Sequence, residues 1–229
     1  MFHRASDLER AFLVLAGFTD RHTPVPSSPD HGGRVEDLGL ALDRMGLPGA
    51  EVAACHQVHG ARVFRVWGPA WPAGDGDALV TTVPGLVLGV RTADCVPVLL
   101  AGPGGVAAVH AGWRGTAAGV VHAAVEALSA ATGQPAGAFR AALGPAVGPC
   151  CYAVGPEVVD ALAHVAPPEV FVASTGVDLR AVVLHVLASL GVAARIAVPA
   201  CTACDERFHS WRRDGRAAGR QAALVALRP

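Results

Sequence analysis

From residue 51 onward the hydrophobic residues fall in short apolar runs separated by turn-forming residues, a spacing that predicts strands rather than long helices. The predicted strands are EVAAC (51–55), ARVFRVW (61–67), DALVT (77–81), LVLGV (86–90), VPVLL (96–100) and GVAAVH (105–110). ARVFRVW alternates apolar and polar residues, as a half-exposed strand does. VPVLL and GVAAV are apolar throughout and belong at the centre of a sheet. Helices are predicted from Thr116 (116–133), Pro156 (156–165) and Asp178 (178–191), each opening on a capping or first-turn residue; the first and third run into glycine. ARIAVPA (194–200) and QAALVAL (221–227) close the chain as late strands. Strands and helices intermix, which places the chain in the α/β or α+β class as one layered domain over 1–229.

Two stretches depart from this rhythm. TDRHTPVPSSPDHGGRVED (19–37) is rich in Pro, Ser, Gly and charge and predicts a mobile surface loop reaching about residue 40. Val96 to Trp113 lacks Asp, Glu, Arg and Lys and is nominally long enough to cross a bilayer. Pro97, Gly102, Pro103, Gly104 and Gly105 interrupt it, so two buried strands joined by a turn are expected instead of a membrane span.

Composition narrows the chemistry. With 52% hydrophobic and 16% charged residues the chain is core-rich and ordered. A net charge of −1 with no basic stripe removes the electrostatic case for nucleic acid. All 18 basic residues are arginine, which excludes a lysine Schiff base and a P-loop lysine. The N-terminal MFHRASDLERAFLVLAGF carries acids before its apolar run and lacks a small-residue cleavage site, so a cytoplasmic protein is expected. Reduced cysteines, not a disulfide framework, are expected for the six present.

Three residues at or near the ends of apolar runs stand out: His59 in CHQVHG, Cys95 in RTADCVPVLL and His110 in AAVHAGWRG. Imidazole and thiolate are ligands zinc prefers, and three protein ligands leave a fourth position for water or substrate. The spacing is long-range, so the pattern alone does not bring the three together. After His110, AGWRGT sets Arg114 in a glycine-containing turn before a helix start at about Thr116, where backbone N–H groups and a guanidinium attract an anion such as phosphate. Asp94 adjoins Cys95 and is a candidate base, ligand-orienting group or turn cap; Gln57 is a candidate orienting or substrate contact. Asp94 and Cys95 share a site only if the backbone turns between them. His56, His122, His164 and His185 are read as ordinary surface or core histidines, the last three in helical stretches. Cys201-x-x-Cys204 permits a redox pair or half a zinc site, but a second C-x-x-C is missing. Vicinal Cys150–Cys151 has poor geometry for chelating one ion, so all four are read as ordinary structural cysteines.

The runs QVHG, TADCVPVLL, VHAGWRGTAAGVV, LGPAVGPCCYAVGPEV and FHSWRRDG–AGRQAALVAL, in that order, resemble the laccase-domain family, also described as multicopper polyphenol oxidase-like proteins, purine nucleoside phosphorylases or peptidoglycan editing factors. The resemblance covers about residues 51–229. It implies an α-β-β-α layered fold with mixed sheets and zinc ligands at His59, Cys95 and His110. It further implies phosphorolysis of adenosine and inosine, with adenosine deamination as a further activity. HGGRVEDLGL, Tyr152-Ala153 and Phe208-His209 depart from the family's usual residues, and none touches the three ligands. Purine nucleoside and phosphate are then the expected partners, bound through Gln57, Arg114 and Thr116, with Asp94 beside the metal. Rival readings are a cysteine hydrolase or peptidoglycan-precursor editing enzyme using Cys95 and His110, a copper-dependent polyphenol oxidase, and a metal-stabilised binding module. Multicopper oxidation needs many imidazoles and His-x-His clusters are absent, which favours zinc over copper.

Overall fold

A computed structural model describes residues 1–23, 25, 38–172 and 176–229. In chain order the first half contains β1 (Phe2–Arg4), α1 (Ser6–Ala11), β2 (Val14–Thr19), α2 (Gly39–Met45), β3 (Val52–Ala54), β4 (Val63–Arg65), β5 (Ala78–Thr81), β6 (Val87–Thr92), β7 (Val96–Gly102) and β8 (Gly105–Ala111). The second half contains α3 (Trp113–Ala117), α4 (Val120–Thr132), β9 (Arg140–Leu143), α5 (Pro156–Leu162), β10 (Phe171–Val172), β11 (Gly176–Val177), α6 (Leu179–Ser189), β12 (Ala193–Ile196), α7 (Trp211–Asp214) and β13 (Gln221–Leu227).

Two mixed sheets form the body. One has the order β1-β2-β13-β6-β3 and the other β12-β9-β7-β8-β5-β4. Each is antiparallel except at edges, where β3 runs parallel to β6, β4 to β5 and β12 to β9. The all-apolar runs explain the stacking, because alternate residues must bury on opposite faces. Along β7, Leu99 and Ala101 point into the core between the sheets, while Val96, Val98 and Leu100 pack under α4 and α6. Along β13, Ala223 and Val225 face the same inter-sheet core, and Ala222, Leu224 and Ala226 pack under α2. The result is an α-β-β-α layering. Among the described residues no helix is long and apolar enough to cross a membrane. Val96–Gly102 and Gly105–Ala111 are two paired strands, as the glycine and proline interruptions required.

Differences from the expected elements have local causes. The helix expected from Thr116 begins three residues earlier, at Trp113, and is split into α3 and α4 by Gly119, whose φ of 87° is a left-handed conformation suited to glycine. Thr19 ends β2 and Gly39–Leu40 open α2, so both ends of the expected 19–40 loop are regular structure; residues 24 and 26–37 lie outside the described residues. β2 and β9 have no counterpart among the predicted strands.

Candidate metal centre

His59, Cys95 and His110 converge: each offers a ligand atom, and these atoms all lie within 4.8 Å of one another. The strand register accounts for two of them. β7 pairs with β8 so that Val96 faces Ala111, which sets Cys95, just before β7, beside the end of β8 where His110 sits. His59 arrives from a separate segment after β3, and its ring stands edge-on to that of His110 at 4.8 Å between centroids. Gly112 permits the approach: a Cβ there would lie 3.0 Å from His59 Cδ2 and 3.1 Å from Cys95 Sγ.

Asp77, absent from the candidates drawn from sequence, organises this group. The β5–β8 register pairs Ala78 with Val109, which places Asp77 next to His110. His110 Nδ1 bonds Asp77 Oδ1 at 2.8 Å, and the His110 backbone N–H donates to the Asp77 carbonyl at 2.8 Å. The backbone N–H of His59 donates to Oδ1 at 2.9 Å, and those of Gly60 and Val58 donate to Oδ2 at 2.7 and 3.3 Å. One fully buried carboxylate thus fixes the ring of one ligand and the backbone of another. Metal-binding histidines are oriented in this way, with Nδ1 held by a carboxylate and Nε2 left for the ion.

The electrostatics favour a charged site. Burial pushes the Asp77 carboxyl up, but the His110 side chain and the N–H groups of Gly60 and His59 outweigh it and hold the group below its ordinary 3.8. Burial likewise raises the Cys95 thiol, and the neighbouring His110 and His59 imidazoles override it and bring it down to about 6. His110 is driven the other way, from a buried ring's low value up to about 9, by Cys95 and Asp77. At neutral pH these values describe a thiolate paired with an imidazolium, and an ion that takes both groups as ligands displaces the His110 proton.

The chain is similar to known proteins along most of its length. Residues 28–228 match the family model described as multi-copper polyphenol oxidoreductase laccase. The chain belongs to this family. A Streptomyces coelicolor protein named purine nucleoside phosphorylase is 41% identical over 92% of this chain and 94% of its own length. The Escherichia coli purine nucleoside phosphorylase YfiH is 36% identical over 87% of this chain and 82% of its own. Among solved structures, YlmD from Geobacillus stearothermophilus superposes with a TM-score of 0.83 at 28% identity, covering 95% of this chain and 93% of that one.

Other residues of this laccase-domain chain have roles that sequence left open or placed differently. The backbone does turn at Asp94, with φ of 93°, and both carboxylate oxygens accept hydrogen bonds. Thr202 Oγ1 donates to Oδ1 at 2.6 Å and the Arg212 N–H donates to Oδ2 at 2.6 Å. Asp94 therefore anchors the turn that presents Cys95. Gln57 spends its side chain on the backbone of Arg91, donating to the carbonyl at 2.7 Å and accepting from the N–H at 2.9 Å, which ties its segment to β6. Thr116 is buried, and its N–H donates to the Gly112 carbonyl inside α3, so it is not a free helix-start donor. Arg114 is exposed, with its guanidinium 4.1 Å over the Trp113 ring. α3 itself abuts the His59 segment, since a Cβ on Gly115 would meet the Gly60 carbonyl at 2.7 Å. Tyr152, whose phenol burial pushes up to about 12, lies near enough to Cys95 to feel its charge, and Arg212 sits 5.4 Å over its ring. Cys150, Cys151, Cys201 and Cys204, read from sequence as structural cysteines with the vicinal pair poorly placed to share one ion, come together as a second group that includes both members of that pair.

Proposed function

We propose that the chain is a zinc-dependent purine nucleoside phosphorylase that cleaves adenosine and inosine with inorganic phosphate and also deaminates adenosine. The observation that carries the reading is the three-ligand group of His59, Cys95 and His110, braced by buried Asp77 and bordered by the helix bearing Arg114. Two imidazoles and one thiolate suit zinc with an open fourth position. They would also suit a copper electron-transfer site, although the methionine that commonly serves as its weak axial ligand has no candidate. The chain's two methionines are Met1 and Met45, and Met45 is buried under β3 and β13 in α2. The names of relatives 41% and 36% identical support phosphorolysis.

When bound, zinc supplies a Lewis acid that polarises an electronegative substrate atom. The rest falls to side chains. Arg114, solvent-facing and stacked on Trp113, holds phosphate in line with C1′ of the nucleoside, so that a phosphate oxygen bonds C1′ as the C1′–N9 bond breaks. Asp77 keeps the Nδ1 proton of His110 in place and so keeps its Nε2 directed at the site. Asp94 holds the turn that aims Cys95.

A second reading rests on one observation: Asp77, His110 and Cys95 also stand in the order of a carboxylate, an imidazole and a thiol nucleophile, with Cys95 Sγ within 4.8 Å of a His110 ring nitrogen. Two measurements separate them. Chromatography of adenosine and inosine reactions should show free purine base only when phosphate is present. A zinc-replete protein that releases no base under any phosphate concentration would sink the phosphorylase reading. Cys95 should resist alkylation in zinc-loaded protein and react after chelation; equal labelling in both states favours the free nucleophile.

A further inference from the structure

Four cysteines outside the His59 group converge on one point. Cys150 and Cys151 lie in a turn at residues 149–151, and Cys201 and Cys204 lie in a turn at 201–204. The two segments are joined by a bridge between Ala146 and Cys201 and by the Thr202 N–H donating to the Ala146 carbonyl at 3.0 Å. All four Sγ atoms lie within 4.8 Å of one another, with Cys204 Sγ 3.6 Å from that of Cys150 and 3.3 Å from that of Cys151. Four sulfurs bound tetrahedrally to one zinc at about 2.3 Å stand about 3.8 Å apart. We propose that Cys150, Cys151, Cys201 and Cys204 form a second, closed metal site that binds one zinc ion as a tetrathiolate and clamps the 146–152 and 197–205 segments together.

The surroundings are those of a built thiolate site. The Gly148 N–H donates to Cys201 Sγ at 3.2 Å, and the N–H groups of Cys204 and Ala203 also face that sulfur. Such bonds stabilise sulfur in its anionic, metal-binding form. Four thiolates and one zinc carry a net charge of about −2, and a cation stands beside them. Arg180 is 8% exposed; its Nη1 donates to the Ala200 carbonyl at 3.0 Å, and its Nε is buried without a hydrogen-bond partner among the described residues. The point a Cβ on Gly148 would occupy is 3.4 Å from Arg180 Nη2, 3.4 Å from Cys150 Sγ and 3.2 Å from Cys201 Cβ. Cys150 and Cys204 reach solvent, which gives the ion a way in. Four protein ligands leave no position for substrate, so the ion is structural. Its effect reaches the first site: Thr202, between two of the ligands, holds Asp94, the neighbour of Cys95.

Elemental analysis of the protein purified with zinc and under reducing conditions tests this. The full chain should hold two zinc ions, Cys95→Ala one and Cys204→Ser one. If the His59 group holds no zinc, the counts become one, one and none, which still supports the tetrathiolate. Zinc content unchanged in both Cys201→Ser and Cys204→Ser overturns it. Should the serine variants not fold, the Cys95→Ala protein, with the cluster intact, decides. Its cobalt form should show thiolate-to-cobalt charge transfer scaled to four sulfurs, and Cys150, Cys151, Cys201 and Cys204 should be alkylated only after chelation. Equal alkylation before and after chelation, or a disulfide among the four by peptide mass, overturns the proposal.

Discussion

Replacing Asp77 with asparagine removes one charge and little volume, and its effect follows from the hydrogen bonds around that carboxylate. Oδ1 accepts from His110 Nδ1 and the His59 N–H, and Oδ2 accepts from the N–H groups of Gly60 and Val58. An asparagine carbonyl serves one of these pairs, and its NH2 then confronts the other pair donor against donor. Leaving buried donors unsatisfied costs about 1–3 kcal/mol each. Val58 and His59 are exposed, so their segment can shift and hydrate its N–H groups. The stability loss should therefore fall near the low end, about 2 kcal/mol, or about 4–8 °C in Tm for a chain of this size. The larger consequence is at the ligands, since movement of the segment displaces His59 and frees the His110 ring. Loss of such an outer partner weakens metal binding about 10- to 100-fold. Competition with a chelator reads the affinity and calorimetry reads the Tm. Asp75→Asn is the matched comparison: Asp75 also bonds a histidine, His56, at 2.8 Å, but it is 70% exposed and should change neither quantity much. A zinc affinity for Asp77→Asn within threefold of the parent would refute the reasoning.

Three further outcomes follow from other parts of the structure. Arg114→Ala should keep its zinc and weaken the dependence on phosphate about ten- to a hundredfold, the worth of a charged hydrogen bond of about 1.5–3 kcal/mol, while deamination falls much less; steady-state kinetics with phosphate varied would contradict this if both activities fell equally. Asp178 caps α6 by accepting from the N–H groups of Arg180 and Ala181, both at 3.1 Å, so Asp178→Ala should lower stability by about 1 kcal/mol in urea unfolding without changing zinc content. Burial first, then the nearby Arg21, Arg220 and Arg213 charges, hold the His209 imidazole below its ordinary 6.5, so the stability from its neutral form is present above that value and is lost as pH falls below it; the urea midpoint should drop less between pH 7 and 5 in His209→Gln than in the parent.

Element existence was legible where burial on both faces forces continuous apolar runs, as in β7 and β8, and where a cap marks a helix start, as at Asp178. It was not legible where tertiary pairing overrides composition. β9 is Arg-Ala-Ala-Leu, with no β-branched residue, and it is a strand because β7 pairs along one edge and β12 along the other. β2, fully buried, lies in a short apolar run whose period does not separate strand from helix. The same division holds at the site. His59, Cys95 and His110 could be singled out by residue type and position at strand ends, but Asp77 resembles any aspartate at the start of a strand. Its role comes from the register that pairs Ala78 with Val109. The four clustered cysteines were hidden for a similar reason, since the two pairs are some fifty residues apart and meet only through the bridge from Ala146 to Cys201.

Two of the three proposed ligands also rest on backbone that a sequence does not reveal. His59 has φ of 61° and Asp94, immediately before Cys95, has φ of 93°; these are the only non-glycine residues with positive φ among those described. Such conformations cost about 1–3 kcal/mol each and persist only where surrounding bonds over-determine them. Here the bonds are identifiable. Asp77 accepts from the N–H groups on both sides of His59 as well as its own, and Asp94 is held at both carboxylate oxygens and at its carbonyl, which accepts from Val147 N–H at 3.0 Å. Asp94 at φ of 93° lets the chain leave β6 in one sheet and enter β7 in the other while aiming Cys95 at His110. The two aspartates are alike in structure: each is a buried carboxylate that accepts hydrogen bonds fixing a turn beside a candidate ligand. The His59, Cys95 and His110 group sits where the two sheets exchange strands, the place where a backbone turn can be held from both layers at once.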